Sequence, residues 1–127
     1  MQEKHLFEYA VIRVVPRVER EEFINAGVIL YCASEQFLKV IYQVDEKKIH
    51  ALNADTDSSE IECFLKAWDQ ICIGGKKGGA LGALPLASRF RWLTATRSSV
   101  VQASKVHPGF SHNPQETLQR LFEELVL

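Results

Sequence analysis

Apolar residues along the chain fall into two patterns, one short and extended, the other spaced for helices. LFEYAVIRVVPRV is β-branched and aromatic with partial alternation, which predicts a strand from about Leu6 to Val15. Pro16 ends that strand or sets it at a sheet edge. GVILYC, Gly27 to Cys32, is continuously apolar and predicts a buried strand, with Gly27 placed for a bulge or a tight entry. FLKVIYQV, Phe37 to Val44, predicts a third strand, and ASEQ before it is short enough for a hairpin. SSVVQAS predicts a fourth, from about Ser98 to Ser104, and VHPGFSHN after it reads as a turn.

Two segments carry the other spacing. In DSSEIECFLKAWDQICIGG, the residues Ile61, Phe64, Leu65, Trp68, Ile71 and Cys72 recur on one helical face. Asp57 with Glu60 forms a capping-box pattern at its start, and Gly74 and Gly75 stop it. The last segment starts from Asn113 as N-cap, with Pro114 at the first helical position and Glu116 completing the box. Leu118, Leu121, Phe122, Leu125 and Val126 line its apolar face. DEKKIHAL is a shorter helical candidate capped by Asp45, and LASRFRWLTA fits a helical turn or irregular chain.

Three early strands with short connections favour antiparallel pairing. The expected fold is a single α+β domain over residues 1–127, a mainly antiparallel sheet of about four strands with the two amphipathic helices packed on one face. The length of 127 residues and the 46% apolar content suffice for one buried core and argue against disorder. No apolar run is long enough to span a bilayer, and the N-terminal MQEKHLFEY has no apolar signal region, so a cytoplasmic location is expected. Three cysteines, Cys32, Cys63 and Cys72, form no CxxC pair. They argue against a disulfide framework or a zinc site and read as small buried hydrophobes.

Charge changes this picture more than composition does. From Gln70 to Gln115 there is no acidic residue, but there are six cations: Lys76, Lys77, Arg89, Arg91, Arg97 and Lys105. The remainder holds the other nine cations and all 16 acids. Such segregation marks an anion-facing surface, unless the acidic flanks fold back and neutralise it.

Most of the candidate chemistry lies in RFRWLTATRSSVVQASKVHPG. If extended, its start points Arg89 and Arg91 one way, with Phe90 and Trp92 the other. On the following strand Ser98, Gln102 and Ser104 share a polar stripe that could hydrogen-bond a ligand. Guanidinium groups such as Arg97 suit phosphate or carboxylate through paired N–H bonds. Arg13 joins this site if its strand meets the Arg97 strand. His107 stands at a strand end, where a hydrogen-bonding or turn-fixing role is favoured over acid–base chemistry, since no carboxylate is near it in sequence. The alternative is a solvated edge strand whose arginines pair with Glu19, Glu21 or Glu22. The expected ligand-binding set is therefore Arg13, Arg89, Trp92, Arg97, Ser98, Gln102, Ser104 and His107, with no catalytic residue, no metal and no cofactor.

The glycine-rich GGKKGGALG is not a nucleotide loop. Ala80 and Leu81 stand where a Walker A motif needs Lys and Ser or Thr, and the loop follows a helix rather than a strand. A flexible surface loop is expected. The four histidines have no H-x-x-x-H spacing, and G-x-S-x-G is absent.

FEYAVIRVVPRVEREEFINAGVILYC, followed by RFRWLTATRSSVVQASKVHPG and NPQETLQRLFEELV, resembles a bacterial family, domain of unknown function three-thousand-thirty-seven. The resemblance covers nearly the whole chain and brings no activity with it. It implies one possible partner, a kinase-like protein resembling the toxin kinase HipA, beside which members are often encoded. The leading expectation is a binding or adaptor module with an anion-binding surface, holding a phosphorylated ligand or that partner. The alternatives are a nucleic-acid-binding protein, against which a pI of about 6.4 weighs, and a small enzyme acting on a phosphorylated substrate.

Overall fold

A computed structural model describes residues 3–127. The chain is α+β, built on a five-stranded antiparallel sheet. The strands are β1 (His5–Val14), β2 (Ile24–Cys32), β3 (Phe37–Tyr42), β4 (Val101–Ala103) and β5 (His107–Ser111). The helices are α1 (Glu46–Leu52), α2 (Ser58–Ile73), α3 (Gly79–Gly82), α4 (Leu86–Thr94) and α5 (Pro114–Leu125), with 3-10 turns at Val18–Arg20 and Gly75–Gly78. None of the described helices is long and apolar enough to cross a membrane.

β1 lies in the middle of the sheet. One edge pairs with β2, which pairs in turn with β3. The other edge pairs with two strands in succession: β5 along His5–Tyr9 and β4 along Ile12–Val14. Between them the register slips by one residue, because Ala10 and Val11 face Ser104, Lys105 and Val106. Ser104 makes the slip possible. Its N–H donates to the Val11 carbonyl (2.8 Å), while its hydroxyl accepts from the Val11 N–H (2.8 Å) and donates to the Lys105 carbonyl (2.9 Å). A side-chain oxygen thus takes the place of a main-chain carbonyl in the ladder.

A second irregularity lies in β2. Ile12 faces Gly27 but Arg13 faces Asn25, so Ala26 is an extra residue and the strand bulges there. Gly27 beside it is required by close approach, since a Cβ would sit 2.6 Å from the Ile41 carbonyl oxygen.

The N-caps form as expected, but Glu116 does not complete the box at α5, since the Asn113 N–H donates to Ser111 Oγ (3.0 Å). Asp45 accepts from the Lys48 N–H, Asp57 from the Ser59 N–H, and Asn113 from the Glu116 N–H, each satisfying an otherwise unpaired amide of a first turn. The arrangement of the helices differs from expectation, because they cover both faces of the sheet. Ala10, Ile12, Val14, Ile29 and Val40 pack with Ile61, Leu65 and Trp68 of α2 and with Phe90 and Leu93 of α4. The alternate residues Phe7, Val28 and Leu30 pack with Leu118, Leu121 and Phe122 of α5. Near-continuous apolar runs in β1 and β2 are the physical cause, since a strand apolar on both faces must be covered on both.

Three local expectations also change. LASRFRWLTA is the helix α4, with Phe90 and Leu93 buried, so Arg89 and Arg91 do not alternate with Phe90 as they would on a strand. The Ser98–Ser104 strand shrinks to Val101–Ala103, and the presumed turn at His107 is β5. Cys32 and Cys72 are buried as expected, but Cys63 is exposed. Burial pushes the Cys72 thiol up to about 12.

Replacing Ser104 with Ala leaves the Val11 amide without its acceptor, and about 1–3 kcal/mol of stability should be lost. Urea unfolding will show this as a lower midpoint at unchanged slope. Ellman's reagent at pH 8 should titrate one thiol, Cys63, in the folded protein and three in denaturant. Fast reaction of a second thiol in the folded state would contradict the burial of Cys32 and Cys72.

Candidate functional site

Two features of β1 and β4 bring distant polar residues together. Arg13 and Gln102 are register partners, and Asn25 faces Arg13 from the other edge, so the three form a row across one face of the sheet. This is the face that carries α5, and Asn25 Nδ2 donates to the carbonyl of Leu125 at that helix's end (3.0 Å). Beyond the row lies a cavity of about 600 Å³ lined by Arg13, Val15, Val18, Glu21, Phe23, Thr96, Arg97, Ser98 and Gln102. That volume lies within the usual range for small-molecule sites.

Each guanidinium in the cavity is held on an aromatic ring. Arg13 lies over Phe23 at 4.1 Å from the ring centroid, and Arg97 over Trp92 at 4.3 Å. Stacking of this kind orients a guanidinium while leaving its N–H edge open to an acceptor. Arg97 spends one donor on the Trp92 carbonyl. Arg13 Nε is buried and has no hydrogen-bond partner, and Asn25 Oδ1 is in the same position. Gln102 uses its amide to tie the loop, donating to the Ser99 carbonyl (2.7 Å).

Two of the three acids expected to neutralise these arginines are occupied elsewhere. Glu19 pairs with Arg17, and Glu22 with Arg20. A main-chain hydrogen bond and the Arg17 guanidinium hold the Glu19 carboxyl below the usual range, and the Arg20 guanidinium does the same for Glu22. Glu8 pairs with Arg91 at 3.2 Å. Among the described residues neither Arg13 nor Arg97 has an acidic partner within ion-pair distance, although Glu21 stands at the rim of their cavity.

The expected site residues therefore divide. Arg13, Arg97, Ser98 and Gln102 meet in one cavity, with Trp92 supporting Arg97 from beneath. Arg89, Ser104 and His107 lie outside it. Ser104 is buried in the β1–β4 ladder. His107 is on β5 with its ring 5.4 Å from that of Tyr9, its register partner. Arg89 caps the end of α2: Nη1 donates to the carbonyls of Ile71 and Cys72 (3.0 Å each), and Nε to that of Leu84 (2.9 Å). A cation at a helix C-terminus is also favoured by the helix dipole.

That cap accounts for the glycine-rich stretch. A Cβ on Gly74 would fall 2.5 Å from Arg89 Nη1, and Gly74 has φ +82°. The stretch is a folded closure around an arginine, formed by a 3-10 turn and α3, and not the flexible loop expected.

Residues 9–126 match the family described as Protein of unknown function (DUF3037). The chain belongs to that family. Comparison with curated proteins and with solved structures gave no match. In this DUF3037 protein the matched span takes in every residue lining the cavity. Sequence reading missed Phe23 and Val18, the apolar walls of the site. The available signal was an aromatic residue, Phe23, next to the charged run VEREE, where solvation alone gives no reason for one.

Arg89→Ala should cost about 2 kcal/mol, the scale of hydrogen bonds to a charged group. Gly74→Ala should also destabilise, since both changes break the same closure. Chemical denaturation of the two single variants and the double variant will show the second change adding less than it does alone.

Proposed function

We propose that this chain is a small binding module that holds an anion, a phosphate or a carboxylate, between Arg13 and Arg97. The observation that carries this reading is the convergence of two aromatic-stacked guanidiniums on one cavity, with neither in an ion pair among the described residues and Glu19, Glu22 and Glu8 paired to other arginines. Ser98, on the chain entering β4, adds a hydroxyl to the same cavity.

The chemistry favours binding over catalysis. His107 lies outside the cavity, and the lining, which holds the Glu21 carboxylate and the Thr96 and Ser98 hydroxyls, has no histidine to activate a hydroxyl. A module of this kind works as an adaptor. The kinase-like partner that the family resemblance implies is one candidate to carry the anion, as a phosphorylated segment.

Calorimetric titration with sulfate and with pyrophosphate at low salt tests the proposal. Arg97→Ala should weaken binding about tenfold or more while the melting temperature stays within a few degrees, and Arg91→Ala should change neither. Arginine stays protonated throughout the accessible range, so sulfate affinity should be flat from pH 5.5 to 8.5. A rise in affinity below pH 7 would place an imidazole in the site and contradict the assignment. Unfolding of Arg97→Ala, or unchanged affinity in that variant, would overturn the reading.

A further inference from the structure

A second cavity of about 550 Å³ adjoins the first. It lies on the other side of β4, against α2, and shares Val18, Arg97 and Ser98 with the arginine cavity. The segment entering β4 thus wraps the edge of the sheet, with Arg97 bordering both spaces. Its lining is mostly apolar: Phe64, Ala67, Trp68 and Ile71 of α2, Trp92 of α4, and Val100 and Val101. Glu60 and Ser99 supply polar groups at its margin.

The exposure of two aromatic residues here is the unexplained feature. Phe64 lies in the apolar pattern of α2 but is 45% exposed, and Trp92 is 43% exposed. Trp68 between them is 6% exposed and packs in the core. Exposed rings beside a cation, at the mouth of a compact apolar cavity, suit a ligand that combines a negative charge with a flat apolar body.

We infer that the anion held by Arg13 and Arg97 is the phosphate of a nucleotide-class ligand, whose aromatic ring system lies in the adjoining Phe64–Trp92 cavity. This rests on the anion-binding reading above and adds the second half of the ligand. The arginines take the phosphate through their N–H edges, and the ring lies against Phe64 and the part of Trp92 that Arg97 leaves uncovered. Base–aromatic stacking tolerates any base, since each has a π face. Glu60 lines this cavity, and a carboxylate there suits a base with an exocyclic amine, which adenine, cytosine and guanine carry and uracil lacks.

The test compares AMP, ribose 5-phosphate and inorganic phosphate by calorimetry at constant ionic strength, with tryptophan fluorescence read in parallel. AMP should bind at least tenfold tighter than ribose 5-phosphate and quench the fluorescence, which ribose 5-phosphate should not. Phe64→Ala, which removes an exposed side chain and leaves the Arg97–Trp92 stack in place, should reduce AMP to the affinity of ribose 5-phosphate and leave the latter unchanged. Arg97→Ala should weaken all three. Equal affinities for AMP and ribose 5-phosphate, or an AMP advantage that survives Phe64→Ala, would overturn the inference while leaving the anion site standing. Binding by none of the three would overturn both.

Discussion

The pairing of β1 along both of its edges is the constraint from which the rest of the structure follows. On one edge the partner is β2. On the other, β4 and β5 share the strand between them, and the step from one to the other depends on the Ser104 hydroxyl standing in for a main-chain carbonyl opposite Val11. Without that substitution the Val11 amide would lack an acceptor at the step between the two registers, and the step would be less stable. With it, Gln102 comes opposite Arg13, and the chain entering β4 delivers Arg97 and Ser98 to the same cavity. The geometry of the candidate site is therefore a consequence of strand register more than of any local motif.

Electrostatics within the basic segment follow from where each arginine is anchored. Arg89 is used up at the C-terminal end of α2, and Arg91 pairs with Glu8 across the surface. The first is structural, because it donates to three main-chain carbonyls where α2 ends and the glycine-rich closure packs. The second is exposed and contributes little to stability. Arg97 meets an indole ring and a carbonyl in place of an acid, and Arg13 meets a phenyl ring. A ring holds a guanidinium without neutralising it. That is the physical difference between the two arginines that remain available to an anion and the two that do not. The acidic flank does fold back: Glu8 pairs with Arg91 and Glu21 lines the arginine cavity, while Glu19 and Glu22 pair with arginines two residues away in their own segment.

The apolar cavity against α2 has a similar origin. α2 presents a stripe wider than its contact with the sheet, so Phe64 at its margin stays exposed while Ile61, Leu65 and Trp68 are covered. α4 brings Trp92 to the opposite wall because Phe90 and Leu93 face the core and the intervening residues turn outward. The wrap of residues 95–100 around the sheet edge joins this space to the arginine cavity.

By itself the sequence determined the elements whose signals are local. Capping side chains at Asp45, Asp57 and Asn113 act within one turn, and the apolar periods of α2, α5 and the first three strands are properties of contiguous chain, so these elements were legible, together with the α+β class and the antiparallel pairing. The segregation of cations after Gln70 was legible too, and of the eight residues singled out as a binding set, Arg13, Arg97, Ser98 and Gln102 line one cavity. What only the tertiary structure decided was everything that depends on distant partners. The fourth strand was read in SSVVQAS, but its limits at Val101–Ala103 and the β5 pairing at His107 are set by the free edge of β1, and HPGFS carries a weak strand signal. RFRWLTA is a helix because Phe90 and Leu93 find a core to fill. α5 covers the face opposite α2 because the central strands are apolar on both sides. The separation of Arg89, Ser104 and His107 from the site follows for the same reason: a residue type states which interactions it can make, but only the packed chain settles which partner comes within reach.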